Sequence, residues 1–103
     1  MKILAIARID SRTTPEMLRP FLEEESRYAW KLYAEGVCRE LYDRPDRQGV
    51  VFVMECDSVP EARAALAGLP FVREKLIDFD LIPLEPFAYF GMLFRDGESS
   101  RRV

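Results

Sequence analysis

Apolar and polar positions fall into six blocks along the chain. KILAIARI, Lys2 to Ile9, is rich in β-formers and ends at the turn-like DSRTTP, which predicts a first strand followed by a helix start. Thr14 can cap that helix, Pro15 suits its first position, Glu16 lies in its first turn, and Gly36 stops it after about Glu35. Pro20 interrupts the pattern near the start, where a missing N–H predicts an irregular or kinked turn. VCRELYDR and GVVFVMECD are strand-like runs separated by PDRQ, a connection that suits an antiparallel hairpin. SVPEARAALAGL carries a Ser58 cap, Pro60 and Glu61 in the first turn, helical periodicity, and Gly68 and Pro70 at its end. EKLIDFDLIPL supplies a last strand with Ile77, Phe79 and Leu81 on one side and Leu76, Asp78, Asp80 and Ile82 on the other.

The order βαββαβ predicts an α+β, ferredoxin-like fold: a four-stranded antiparallel sheet with both helices on one face. Such a sheet leaves its second face open, and an apolar open face marks an interface, so a homodimer is expected. EPFAYFGMLF follows the last strand with six large apolar groups, Phe87, Tyr89, Phe90, Met92, Leu93 and Phe94. They either close their own subunit or pack across a partner. Residues 1–95 are therefore expected to form one domain, and 96–103 a polar tail that frays.

At 103 residues and 49% hydrophobic content, the chain has material for one core. No run of about 18 or more apolar residues is present, and the N-terminal stretch is too short and too soon charged for a signal peptide, so a cytoplasmic protein without a membrane partner is expected. The net charge of −3 is spread over interspersed acids and bases, which lacks the basic footprint of a nucleic-acid binder. VVFVMECD also lacks stacking aromatics interleaved with basic residues, as an RNA-binding sheet would need. Without histidine, and with Cys38 and Cys56 outside metal-ligand spacing, a zinc or haem site has too few ligands, and no cofactor is expected. Proton transfer would fall to Asp, Glu, Lys, Tyr or water.

The first long helix raises a sharper question, because FLEEESRYAWKLYAEG has three consecutive glutamates. At about 100° per residue, Leu18, Leu22, Glu25, Ala29, Leu32 and Gly36 share one stripe, with Glu23 and Glu24 to either side. Glu25 is thus expected to face inward, and there it must be paired, protonated or beside a wet cavity. Centring the hairpin near Arg47 would pair Arg39 with Glu55, Leu41 with Val53 and Cys38 with Cys56. If that face lay beneath the helix, Glu25, Arg39 and Glu55 would meet, with Tyr28 and Tyr42 as core-boundary or pocket-wall residues.

LYAEGVCREL, ECDSVPEARAALAGLP and LIDFDLIPLEPF together resemble the muconolactone isomerase-like family of dimeric α+β barrel proteins, over most of the chain from about Glu25 to Phe87. The resemblance implies a ferredoxin-like subunit whose sheet packs on a twin's. It also implies cofactor-independent isomerisation of an unsaturated lactone, with Glu25 and Arg39 comparable to a glutamate and an arginine of the family.

Two readings follow. In one, the protein is a homodimer that binds a small organic molecule and shuttles its proton, with Glu25 as base, Arg39 steadying negative charge, Glu55 orienting Arg39, and Tyr28 and Tyr42 lining the pocket. In the other, it is a non-catalytic ligand-binding or structural dimer with Glu25 and Arg39 as an internal ion pair.

Overall fold

The computed structural model describes residues 1–94, so the tail expected at 96–103 lies outside the described residues. Four strands, β1 (Lys2–Ile9), β2 (Cys38–Asp43), β3 (Val50–Glu55) and β4 (Ile77–Leu84), form one sheet in the order β2-β3-β1-β4, all neighbours antiparallel. Between β1 and β2 run α1 (Pro15–Leu18), a 3-10 turn at Arg19–Phe21, and α2 (Leu22–Ala34); α3 (Val59–Leu66) and α4 (Pro70–Arg73) lie between β3 and β4. The expected ferredoxin-like order is present.

The core lies between the sheet and the helices. Cross-strand pairing sets small residues of β1 against large ones, Ala5 opposite Phe52 and Ala7 opposite Phe79, so the two rings approach to 5.5 Å over the alanines. Phe52 and Phe79 are buried, each contributing roughly 2–3 kcal/mol of apolar transfer free energy. Leu32 and Leu66 close the layer from α2 and α3. On β4 the expected alternation holds, with Ile77 and Phe79 inside and Asp78 and Asp80 exposed.

Local signals explain the helix limits. The Thr14 hydroxyl accepts from the Met17 N–H at 3.3 Å, and the Ser58 hydroxyl from Glu61 at 3.2 Å. Helix α2 ends where Gly36 takes φ +80°, with Val37 N–H donating to Leu32 and Gly36 N–H to Tyr33. Pro20 produces the expected irregularity. Three residues wound at 3-10 pitch rotate the following helix by about 60° from a continuous α-helical wheel. Leu22 is consequently turned out and half exposed, a correction to its place on the inward stripe, while Leu18 and Leu32 are buried.

Pro70, read above as a stop, begins α4 instead, at the first helical position where a missing N–H costs nothing. That short helix ends in a Schellman arrangement, with Leu76 N–H on the Phe71 carbonyl at 2.8 Å and Lys75 N–H on Val72 at 3.0 Å. Lys75 occupies the left-handed position at φ +61°, where glycine is usual.

The hairpin register differs from expectation by one residue. Leu41 pairs with Phe52 and Tyr42 with Val51, and an irregularity between Cys38 and Glu40 shifts Cys38 opposite Met54. Cys38 and Cys56 are therefore not cross-strand partners, and both are free thiols. Because a one-residue slip exchanges faces, Leu41 joins buried Phe52 and Met54 beneath the helices, while Val51, Val53 and Tyr42 share the open face with Leu4, Ile6 and Ile82.

Candidate active site

Glu25 is half-buried on the inner side of α2, and its Oε1 accepts the Phe71 N–H at 2.9 Å. That amide is one of the donors left over at the start of α4, so the α2 carboxylate caps a helix belonging to a different part of the chain. Among the described residues no other donor reaches Glu25, which leaves Oε2 free. Burial pushes the carboxyl up to about 7; the Phe71 amide and the nearby Arg73 guanidinium pull it down by less, and Glu24 adds a smaller upward push. A carboxyl balanced near neutrality can both take and return a proton.

The flanking glutamates do ordinary work. Glu23 pairs with Arg27 one turn along α2, and Glu24 meets Arg73 at 3.2 Å, which also contacts Glu74 at 3.3 Å. Helical geometry thus separates the three acids as expected.

The partner expected for Glu25 is elsewhere. Arg39 sits at the β2 irregularity, exposed, and its Nε donates to the Gly36 carbonyl at 2.7 Å. No Glu25–Arg39 ion pair forms, because the bulge between Cys38 and Glu40 takes Arg39 out of phase with Leu41, which faces the helices. Glu55 does not orient Arg39 through a salt bridge either. It binds the N-terminal ammonium at 2.6 Å, and that contact holds its carboxyl below the usual range. Tyr42 is on the open face, its hydroxyl donating to Glu40 at 2.5 Å. The sheet therefore stands between Glu25 and both Tyr42 and Glu55.

Tyr28, one turn beyond Glu25, remains on the same side. Its hydroxyl donates to the Ala65 carbonyl at 3.0 Å and ties α2 to the end of α3. The ring lies so close to the chain that a Cβ at Gly68 would stand 2.2 Å from the Tyr28 oxygen. Phe71 and Arg73 escaped the sequence reading, since their approach to Glu25 depends on α4, which begins where Gly68 and Pro70 were read as the end of the preceding helix.

No protein-family model matches the chain, and no curated protein matches it by sequence. Solved structures do. The 5-chloro-2-hydroxyhydroquinone dehydrochlorinase of Burkholderia phenoliruptrix AC1100, in complex with 2,5-dihydroxybenzoquinone, aligns with a TM-score of 0.68 at 15% identity, over 82% of this chain and 94% of that one. Muconolactone isomerase aligns with a TM-score of 0.69 at 19% identity, over 85% of this chain and 92% of that one. The chain has the subunit fold of the dimeric α+β barrel proteins.

A groove lies away from Glu25, beyond the opposite end of α4. About 750 Å³ in volume, it lies between Ile6 to Asp10 of β1 and the loop that follows it, the Arg44–Gln48 loop, and Lys75 to Asp78. Its charges are largely spent on each other: Arg8 contacts Asp78 at 3.0 Å and Asp80 at 2.8 Å, and Arg44 contacts Asp46 at 2.7 Å. Among the described residues no helix is long and apolar enough to cross a membrane, and no group of His, Cys, Asp and Glu is placed to hold a metal ion.

Proposed function

We propose that the protein is a homodimeric α+β barrel that binds a small, unsaturated, anionic compound and isomerises it without a cofactor, in the manner of muconolactone isomerase. The observation that carries this reading is Glu25, a half-buried carboxyl with a pKa near 7 and one uncommitted oxygen. In the reaction, Oε2 of ionised Glu25 removes a proton from the carbon next to the substrate carbonyl. The electron pair moves into the conjugated system to give an enolate. The protonated carboxyl then returns its proton at the far end of that system, shifting the double bond with no net gain or loss of electrons. Arg73, already close enough to bias Glu25, takes the charge-steadying role first given to Arg39. Tyr28 walls the same side. The fold shared with an isomerase of a lactone and with a dehydrochlorinase bound to a quinone supports the choice of substrate class, and a location in the cytoplasm suits such metabolism.

The open face supports the dimer, since Leu4, Ile6, Val51 and Val53 remain partly exposed there and Ile82 is 41% exposed. Two such faces packed together form the barrel.

One observation favours a second, non-catalytic reading: Glu25 already serves as the cap of α4. Glu25→Gln separates the two, since the amide oxygen can still accept from Phe71 but cannot take a proton. With unsaturated lactones and 2,5-dihydroxybenzoquinone as probes, binding is followed by thermal shift and turnover by absorbance. Isomerisation that is lost in Glu25→Gln while binding and folding persist supports the enzyme. Undiminished turnover in Glu25→Gln, or ligand binding with no turnover by the unaltered protein across the panel, assigns Glu25 to structure.

A further inference from the structure

We infer that the aromatic segment Phe87–Phe94 is an arm exchanged between two copies of this chain, each arm packing against the margin of the partner's open sheet face. This rests on the dimer proposed above and goes beyond it by assigning the segment to the partner rather than to its own core.

The first ground is the segment's lack of packing at home. Beyond Leu84 it forms a 3-10 helix at Ala88–Leu93, longer than the three or four residues that usually sustain such a helix alone. Phe87, Tyr89, Phe90, Met92, Leu93 and Phe94 are each between 57% and 70% exposed. Phe87 touches Tyr89 at 5.4 Å and Phe90 at 5.0 Å between ring centroids, but among the described residues no strand or helix packs closely against the segment. A Cβ added at Gly91 would meet nothing within 4 Å.

Area supplies the second ground. Six large apolar side chains at this exposure leave on the order of 700 Å² uncovered, close to one partner's share of a standard interface. Two arms together with two open faces make a dimer of ordinary size. Third, the arm leaves from the open face itself, because Ile82 and Leu84 lie there opposite Leu4 and Lys2. Exposed Ile82 and Leu84 therefore lead from the face toward the arm. Finally, no residue from Pro86 to Phe94 carries a charged side chain, so neither an anionic membrane nor a nucleic acid has anything to attract. A second copy offers an apolar partner surface at matched stoichiometry.

The test uses the full chain. Light scattering and sedimentation at low and high micromolar concentration give the oligomeric state of the unaltered protein and of a Phe87→Ser, Phe90→Ser, Leu93→Ser variant. Isotope-filtered NOE spectra of mixed labelled and unlabelled chains report which subunit each arm ring touches. The expected result is a dimer with intermolecular NOEs from Phe87 and Phe90 to open-face methyls, and a variant whose dimer dissociates roughly 100-fold more readily while its body spectrum is unchanged. NOEs confined to the arm's own chain overturn the inference, as does a variant that dimerises undiminished. In both cases the face-to-face dimer survives. A monomeric unaltered protein overturns the dimer itself, and arm-dependent binding of that monomer to phosphatidylcholine vesicles identifies a membrane as the occupant instead.

Discussion

Burial and one amide make Glu25 unlike its neighbours, and its consequences are measurable without any substrate. Its folded pKa of about 7 stands above the ordinary carboxylate value, so the folded state holds the proton more tightly than the unfolded chain. The resulting stability is full below the unfolded pKa and is lost as pH rises toward and through 7. Allowing for solvent screening at a half-exposed side chain, the loss is about 1–2 kcal/mol. Urea titrations between pH 5 and 8 are expected to show this decline, and Glu25→Gln to flatten it, with the variant more stable than the unaltered protein at pH 8. A second residue-scale expectation concerns Gly68. An alanine there cannot coexist with Tyr28 in its present place, because a Cβ would lie 2.2 Å from the phenol oxygen and 2.4 Å from its ring carbon. Gly68→Ala is expected to cost about 1–3 kcal/mol in urea denaturation and to shift Tyr28 resonances.

Among the elements, α4 has the most influence on the site for its length. Four residues long, it is held at one end by a carboxylate from α2 and at the other by Lys75 in a left-handed conformation. A side chain there costs roughly 1–2 kcal/mol relative to the ordinary right-handed arrangement, a penalty glycine escapes. Lys75→Gly is therefore expected to raise stability by about 1 kcal/mol, read as an increased urea midpoint at unchanged m-value. The same element shows why part of the site was illegible. Pro70 is compatible with both a helix end and a helix start, and only the packing of Leu69 and Pro70 into the interior selects the second. Once α4 exists, its free amide and Arg73 define the surroundings of Glu25. The hairpin gives the complementary case: alternation along each strand was clear, but the pairing between strands depended on where a six-residue connection turned; a one-residue difference set Leu41 opposite Phe52 instead of Val53, and the bulge between Cys38 and Glu40 kept Arg39 from Glu25.

For the molecule as a whole, the two sides of the sheet divide the labour. The helix-covered side holds the core and Glu25. The other combines an apolar centre with ion pairs at its ends, Arg8 with Asp78 and Asp80 at one and the N-terminus with Glu55 at the other. Exposed ion pairs of this kind add little stability, but at the rim of an interface they discriminate against misaligned partners. If two such faces meet, a charge at their centre is intolerable. Val53→Asp is expected to convert the proposed dimer to a folded monomer, seen as a halved mass by light scattering with far-ultraviolet circular dichroism retained.

The sequence by itself determined the order and type of the main elements, the alternation along the last strand, the separation of Glu25 from Glu23 and Glu24, and the irregularity at Pro20. All are consequences of local periodicity, capping and backbone chemistry, which neighbouring residues specify without reference to the rest of the chain. Tertiary structure alone decided the hairpin register, the outward turn of Leu22, the existence of α4 and the partner of Glu25. Each of those depends on a competition between distant segments: the Glu25 carboxylate is bound by an amide 46 residues away, while Arg39, the charge the sequence offered it, is left on the solvent side.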